Sequence, residues 1–275
     1  MIGIFSIVDT SNIRGPQKVF YNLLKGFDLL KVDYRVNQIG DLNGCLNNHR
    51  YFWGNLPDNT LMGPNLIVNP PDDPALFERF KKILVPSNMV MENYKKFKEA
   101  ESTKFFVHAT GIDTDFWDVN KVIEKDCLIY FKNRDEAELE NLKQILDDKN
   151  ITYYILRYGS YNENELREIL SKIKFSILLT NTESQGIAYM EILSTNTPCF
   201  VLNKIYDDGV LRGESVQYFT EECGIIYNGP VNKDITIKFD VFLDSLDKFE
   251  PRNFITNNFT LIKSAQQYIQ FLTNE

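Results

Sequence analysis

Two glutamates, Glu183 and Glu191, bracket a glycine in the run Glu183-Ser184-Gln185-Gly186-Ile187-Ala188-Tyr189-Met190-Glu191. The run follows an apolar segment, Phe175-Ser176-Ile177-Leu178-Leu179, and precedes Thr197-Pro198-Cys199-Phe200-Val201-Leu202. The order reads as strand, acidic loop, helix start, strand. Gly186 lets a ligand approach the backbone closely. The N–H groups of Gly186 and Ile187, at a helix N-terminus, favour an anion such as a diphosphate oxygen. Glu183, ahead of the helix, is placed to accept from sugar hydroxyls, and Glu191, two turns further on, from a ribose. The plain alternative is an acidic residue that suits the helix dipole and an exposed helix glutamate. The run alone leaves both open.

Other chemistries are short of parts. There are two histidines, His49 and His108, so a zinc enzyme or a histidine-based triad lacks residues. The four cysteines, Cys45, Cys127, Cys199 and Cys223, form no CxxC pair and supply no zinc cluster. Cys127 and Cys199 fall in apolar runs, where reduced, buried thiols are the default. Asp72-Asp73 and Asp207-Asp208 sit in turn-like contexts and read as caps and surface, so no metal site is expected. The net charge is −8, with no block of Lys or Arg, which argues against a nucleic-acid groove or an anionic-membrane patch. No segment approaches about 20 uninterrupted apolar residues, so no membrane span is expected. Met1–Asp9 has no basic region before its apolar stretch and reads as a first strand, not a signal peptide. A reducing, cytoplasmic setting is the expectation.

The elements that would carry these residues alternate. Ile2–Val8 reads as a strand buried on both faces, followed by a turn-rich loop over residues 9–16. Val19, Phe20, Leu23, Leu24 and Phe27 then recur on one helical face, and Asp33–Asn37 reads as a second strand. This is a βαβ unit and implies a parallel sheet. Gly40–Asp73 is broken by Gly54, Pro57, Gly63, Pro64, Pro70 and Pro71, and predicts loops with one or two short strands, such as Leu66–Val68. Alternation resumes with a helix at Pro74–Lys81, a strand at Lys82–Val85, a helix capped by Ser87 and a strand at Lys104–His108. A charged stretch, Asp118–Asp126, suggests a boundary. A second series follows: strand Cys127–Phe131, helix Glu136–Asp148, strand Ile151–Leu156, helix Asn162–Ile173, then the acidic run and Cys199–Leu202. The tail from Asp240 to Thr273 reads as two helices broken near Pro251. Two doubly wound α/β domains follow, 1–118 and 119–275, with the C-terminal helices available to pack back on the N-terminal domain. Ligands in such sheets bind outside the carboxyl ends of the strands.

Several of these segments resemble one family in the order that family has them. Glu183–Glu191 resembles the E-x7-E element of retaining, nucleotide-sugar-dependent glycosyltransferases of the GT-B fold, in particular glycosyltransferase family 4. With Asn196-Thr197-Pro198 it is similar to that family's "ESfGl.llEAma.GtPvi" stretch. Val85-Pro86-Ser87 resembles its "vPS" strand end, Gly111–Phe116 its "GvDt..F" inter-domain element, and Arg14-Gly15-Pro16 the glycine loop after its first strand. The resemblance implies two Rossmann-like domains facing across a cleft, with a compact N-terminal domain on the acceptor side. It also implies two basic residues after the first strand of the C-terminal domain that neutralise the donor diphosphate. Lys132-Asn133-Arg134 stands there, with Arg134 the preferred phosphate ligand because a guanidinium binds oxygens in bidentate fashion, and Lys132 second. The family places its lysine several residues after the arginine, where this chain has Glu136, Glu138 and Glu140. Gly15 is the candidate for close approach of the first loop to donor phosphate or acceptor. Tyr158-Gly159-Ser160 stands where a base could bind, although a plain turn is the simpler reading.

The implied activity is transfer of a sugar, with retention and without a metal, from a nucleoside-diphosphate sugar of UDP or GDP type. No other cofactor is implied. The acceptor would be a glycan, a lipid-linked molecule or a small molecule. Glu183 would orient the donor sugar, Gly186, Ile187, Lys132 and Arg134 would hold the diphosphate, and Glu191 the ribose. The same fold also allows epimerisation or hydrolysis of a nucleotide sugar, or a non-catalytic binding module.

Overall fold

The computed structural model describes residues 1–7, 15–47, 49–66 and 75–273. Most of the loop expected at 9–16, with Arg14, and the Asp72-Asp73 pair lie outside them. The chain divides into two compact units. Unit 1 comprises Met1–Asp113, Asp207–Arg212 and Phe259–Glu275; unit 2 comprises Thr114–Tyr206 and Gly213–Asn258. Every named strand pairing in the two large sheets is parallel.

The first part of the chain forms β1 (Ile2–Phe5), α1 (Gly15–Leu30), β2 (Tyr34–Val36), β3 (Leu42–Cys45), α2 (His49–Phe52) and β4 (Leu61–Met62). It continues through α3 (Ala75–Arg79), β5 (Lys82–Val85), α4 (Asn88–Lys95) and β6 (Lys104–Val107). The sheet order is β2-β1-β3-β4-β5-β6. Strand alternation sends Phe5, Cys45, Ile83 and Val85 to one face, against Phe77 of α3 and Val90 and Tyr94 of α4. Ile2, Ile4 and Leu84 go to the other, against Phe20, Leu23 and Phe27 of α1. Ser87 caps α4 as expected, its Oγ accepting from the Val90 N–H at 3.4 Å.

The segment read as irregular contains two interior strands, β3 and β4. Polarity hid β3. Its Asn43 closes a local turn, with Oδ1 accepting from Gly40 N at 2.9 Å and Nδ2 donating to Gly40 O at 3.0 Å. Its Gly44 lies against the Tyr268 phenol, where any Cβ would collide with the ring hydroxyl. The expected strand at Leu66–Val68 is not found at Leu66; the sheet takes Leu61–Met62 instead. Ile67 and Val68 lie outside the described residues.

Unit 2 contains β7 (Lys125–Lys132), α5 (Glu136–Asp148), β8 (Tyr153–Arg157), α6 (Glu163–Leu170), β9 (Ile173–Thr180), α7 (Ile187–Ser194) and β10 (Cys199–Leu202). A short hairpin, β11 (Tyr206–Asp207) and β12 (Arg212–Gly213), precedes β13 (Gly224–Tyr227), α8 (Ile235–Leu243) and α9 (Pro251–Asn258). Strand order is β13-β10-β9-β7-β8. Cys127, Ile129 and Phe131 of β7, with Phe175, Ile177 and Leu179 of β9, pack against Leu139, Leu142 and Leu146 of α5 and Phe239 and Phe242 of α8. The tail holds three helices, not two: a second break at Phe259-Thr260 separates α9 from α10 (Leu261–Thr273). All four cysteines are free and buried.

The last helix completes unit 1. Tyr268 and Ala265 of α10 join the core formed with α1 and β1. His108, just after β6, is buried beneath α10 and packs edge-on against Tyr268. Its Nε2 donates to the Ser264 carbonyl at 3.0 Å, which leaves Nδ1 without a hydrogen and, among the described residues, without a partner. Burial, only partly offset by that bond, lowers its pKa from 6.5 to about 4. His108 is a structural histidine of the core. Because the folded value is depressed, the unfolded chain binds the extra proton, and stability falls as pH drops from about 6.5 towards 4. Urea unfolding of the wild type against His108→Gln should show the wild type losing about 3 kcal/mol more between neutral pH and about pH 4.

Candidate functional site

The strand order of unit 2 reverses between β7 and β9: the chain goes from β7 outward to β8, then crosses back to β9 on the other side. The loops leaving these neighbours therefore part in opposite directions and open a crevice at their carboxyl ends. Lys132, the last residue of β7, is in register with Thr180, the last of β9. The lysine and the acidic run thus meet at the one place where the sheet topology itself provides a gap.

Lys132 and Glu183 form a two-pronged ion pair. Lys132 Nζ lies 2.7 Å from Oε1 and 2.9 Å from Oε2 of Glu183. The ammonium also sits over the ring of Tyr158, at the end of β8, 4.3 Å from its centroid. Both charged side chains are largely shielded, 17% and 11% exposed. Burial raises the Glu183 pKa, against the pull of Lys132. A carboxylate in this setting is sensitive to the loss of its cation.

The turn after β7 sends its two basic side chains apart. Asn133 adopts φ 53°, a left-handed conformation that asparagine tolerates. Arg134, expected to be the first phosphate ligand, turns inward and its side chain is 3% exposed. Its Nε and one terminal nitrogen donate to Glu138 at 2.6 Å each. The other terminal nitrogen donates to the carbonyls of Thr180 at 3.0 Å and Leu202 at 2.8 Å, the ends of β9 and β10. The bidentate fork thus serves an internal carboxylate and two strand ends. That corrects the expectation: Lys132 is the cation at the crevice, and Arg134 is a positioning residue. Ser215 reinforces the same junction, its Oγ donating to Thr180 O at 2.7 Å and accepting from Lys204 N at 2.8 Å.

Gly186 and Ile187 fall where the sequence placed them, at the start of α7. Gly186 caps the helix with φ 84° and ψ 53°, a left-handed conformation open to glycine at no steric cost, and has no side chain of its own to cap it. A Cβ there would also run into the Tyr189 ring. The first-turn N–H groups of α7 have no acceptor within the helix. Tyr189 holds the loop: its hydroxyl donates to Gln185 O at 2.8 Å and accepts from the N–H groups of Gln217 and Tyr218, both at 2.9 Å. The backbone of Glu183 is fixed by its own N–H, which donates to Glu214 O at 2.9 Å.

Glu191 is 1% exposed, on a helix buried nearly all round, and its charge is felt by the buried Tyr130 hydroxyl of β7. It faces the interior, not solvent, which sets aside the plain alternative of an exposed helix glutamate. Gly15 opens α1 in unit 1, with open space where its Cβ would be. Of the expected residues, unit 2 brings together Lys132, Glu183, Gly186 and Ile187. The supports that sequence reading missed are Tyr189, Ser215 and the Glu138 clamp. Of these only Glu138, four residues after Arg134, carried a visible signal.

No protein-family model matches the chain, and no curated protein does. Solved structures do. Sucrose-phosphate synthase from Thermosynechococcus elongatus aligns over 98% of this chain and 97% of its own, at 10% identity and a TM-score of 0.63. WaaG, a glycosyltransferase involved in lipopolysaccharide biosynthesis, aligns over 100% of both chains at 11% identity and a TM-score of 0.54. The pneumococcal O-GlcNAc transferase GtfA, solved with UDP and GlcNAc, aligns over 91% of this chain and 58% of its own, at 10% identity and a TM-score of 0.53. The fold is therefore that of GT-B glycosyltransferases: two α/β units, each built on a parallel sheet with alternating helices.

Arg134→Met should lower the stability of the protein by about 3 kcal/mol in chemical unfolding, since it strands Glu138 and two strand-end carbonyls. Lys132→Met likewise strands the shielded Glu183 carboxylate and should cost about 3 kcal/mol at neutral pH.

Proposed function

We propose that this protein is a glycosyltransferase that moves a sugar from a nucleoside-diphosphate sugar to an acceptor, with retention of configuration and without a metal ion. The observation that carries the reading is the meeting of Lys132, Glu183 and the N-terminus of α7 at the strand-order reversal of unit 2. The likeness in fold to transferases, one of them solved with UDP and GlcNAc, supports it.

In this reading the diphosphate lies against the first turn of α7, where unpaired N–H groups and the helix dipole favour negative charge. Lys132 supplies the neighbouring positive charge. As the bond from the anomeric carbon to the β-phosphate oxygen breaks, these groups stabilise the leaving diphosphate. Preorganised donors of this kind contribute a few kcal/mol where charge develops. The acceptor hydroxyl attacks from the same face, and the departing phosphate oxygen takes its proton. Glu183 accepts hydrogen bonds from donor-sugar hydroxyls and orients the ring, which lowers the barrier by positioning. It is no covalent nucleophile here. Arg134 fixes the ends of β9 and β10, from which the loops carrying Glu183 and Ser215 depart. The acceptor is a glycan, a lipid-linked molecule or a small molecule. Among the described residues no helix is long and apolar enough to cross a membrane. Four free, buried cysteines support a reducing, cytoplasmic setting.

The test begins with thermal shifts against uridine, guanosine and adenosine diphosphates and their sugars, followed by transfer or donor hydrolysis with the pair that stabilises. Glu183→Ala and Lys132→Ala should each reduce turnover about 100-fold or more. Unchanged turnover in both variants would refute the assignment. Product analysis separates transfer from epimerisation and hydrolysis, and the absence of any stabilising nucleotide would favour a binding module.

A further inference from the structure

The ammonium that should greet a phosphate is already held, by both oxygens of Glu183. We infer that Glu183 is an internal competitor for Lys132: an incoming diphosphate displaces its carboxylate from the ammonium, and the displaced carboxylate takes up a proton from solvent. The inference rests on the reading of this site as a nucleotide-sugar site and adds to it a proton-linked gate.

The geometry leaves little alternative for an anion at the rim of α7. Lys132 Nζ makes two short contacts with one carboxylate, sits over the Tyr158 ring and is 17% exposed. A phosphate oxygen at the rim therefore competes with Glu183 for the ammonium. Once released, the carboxylate lies in a shielded position, 11% exposed, without its cation. A buried carboxylate that loses its counter-charge gains affinity for a proton. The phosphate brings further negative charge close by, which acts in the same direction.

Among the described residues, Lys132 is the only cation acting on Glu183. From β7, Tyr130 faces the carboxylate, and from α7, Tyr189; burial keeps both phenols neutral, their pKa values pushed up. Glu191 of α7 adds negative charge on the same side, as its effect on Tyr130 shows. From β9 and the segment after β12 come backbone groups, among them the Glu214 carbonyl that accepts the Glu183 N–H. Arg134 stays with Glu138 and the strand ends.

A protonated Glu183 keeps one carbonyl oxygen to accept from a sugar hydroxyl and gains an O–H to donate. A bare nucleoside diphosphate gives Glu183 nothing in return for the lost ion pair, whereas a nucleotide sugar does. The released Glu183 side chain therefore favours the complete donor over the spent nucleotide.

The experiment is isothermal calorimetry with whichever of UDP, GDP and ADP binds, run at neutral pH in buffers of differing ionisation enthalpy, on wild type, Glu183→Gln and Lys132→Gln. Wild type should take up protons, up to about one per nucleotide, and its affinity should weaken by up to about tenfold per unit between about pH 7 and 8.5, where the phosphate is already ionised. Glu183→Gln should remove the excess uptake and bind the bare nucleotide roughly tenfold more tightly, while its amide, which accepts and donates as the protonated acid does, keeps the preference for the nucleotide sugar. Lys132→Gln should lose both affinity and uptake. Tight nucleotide binding with equal proton uptake in wild type and Glu183→Gln, or weaker binding of the bare nucleotide by Glu183→Gln, overturns the inference and leaves the donor site standing. The wild-type pH series tests it even if the glutamine variant folds poorly. If none of the three diphosphates binds the wild type, the donor-site reading falls, and the inference with it.

Discussion

Everything at the crevice of unit 2 depends on how the carboxyl ends of three parallel strands are held. Strand-end carbonyls at such an edge have no further ladder partner and must find donors elsewhere. Arg134 supplies them for β9 and β10 at once, anchored by a bidentate bond to Glu138 on α5. Ser215 ties the same Thr180 carbonyl to the backbone of Lys204. The loop that carries Glu183 and the segment that receives Tyr189 therefore start from fixed points. With the frame made rigid by a buried arginine, Lys132 at the neighbouring strand end is left to face the opening.

The helix start at Gly186 shows how little of a site need be charged. Glycine is required there twice over, by the left-handed backbone and by the Tyr189 ring lying where a Cβ would go. That ring in turn places its hydroxyl between Gln185 and the N–H groups of Gln217 and Tyr218. One small residue thus admits one large one, and the large one locks the loop. The helix terminus thus begins at a residue with no side chain of its own to cap it.

Much of this was legible in the chain, for definable reasons. β7 and β9 are nearly continuous apolar runs because both their faces are covered, and such runs stand out. The glutamate–glycine run was legible because few other contexts call for a carboxylate, a glycine and a helix start in that order. β3 was hidden because Asn43 and Gly44 answer to local demands, a turn bond and the Tyr268 ring, that outweigh strand preference. Arg134 was misread because a guanidinium after a strand looks the same whether it faces a ligand or carbonyls of its own chain. The burial of Glu191 was not legible because a helix glutamate is ordinarily exposed, and the cover on α7 comes from sheet and α9 together, which no local pattern reveals.

The composition of unit 1 has a consequence for the order in which the molecule is made. Its core is closed by Ala265 and Tyr268 of α10, more than 150 residues after His108, which that helix covers. Unit 2, by contrast, is drawn from a single span, Thr114–Asn258, interrupted only by Asp207–Arg212. During synthesis the half that emerges first must wait, with β1, α1 and β3 lacking their cover, until the last helix has left the ribosome. The half that emerges second can close before it. The sheet of unit 1 is thus sealed after that of unit 2, although its strands β1 to β6 precede those of unit 2 in the chain.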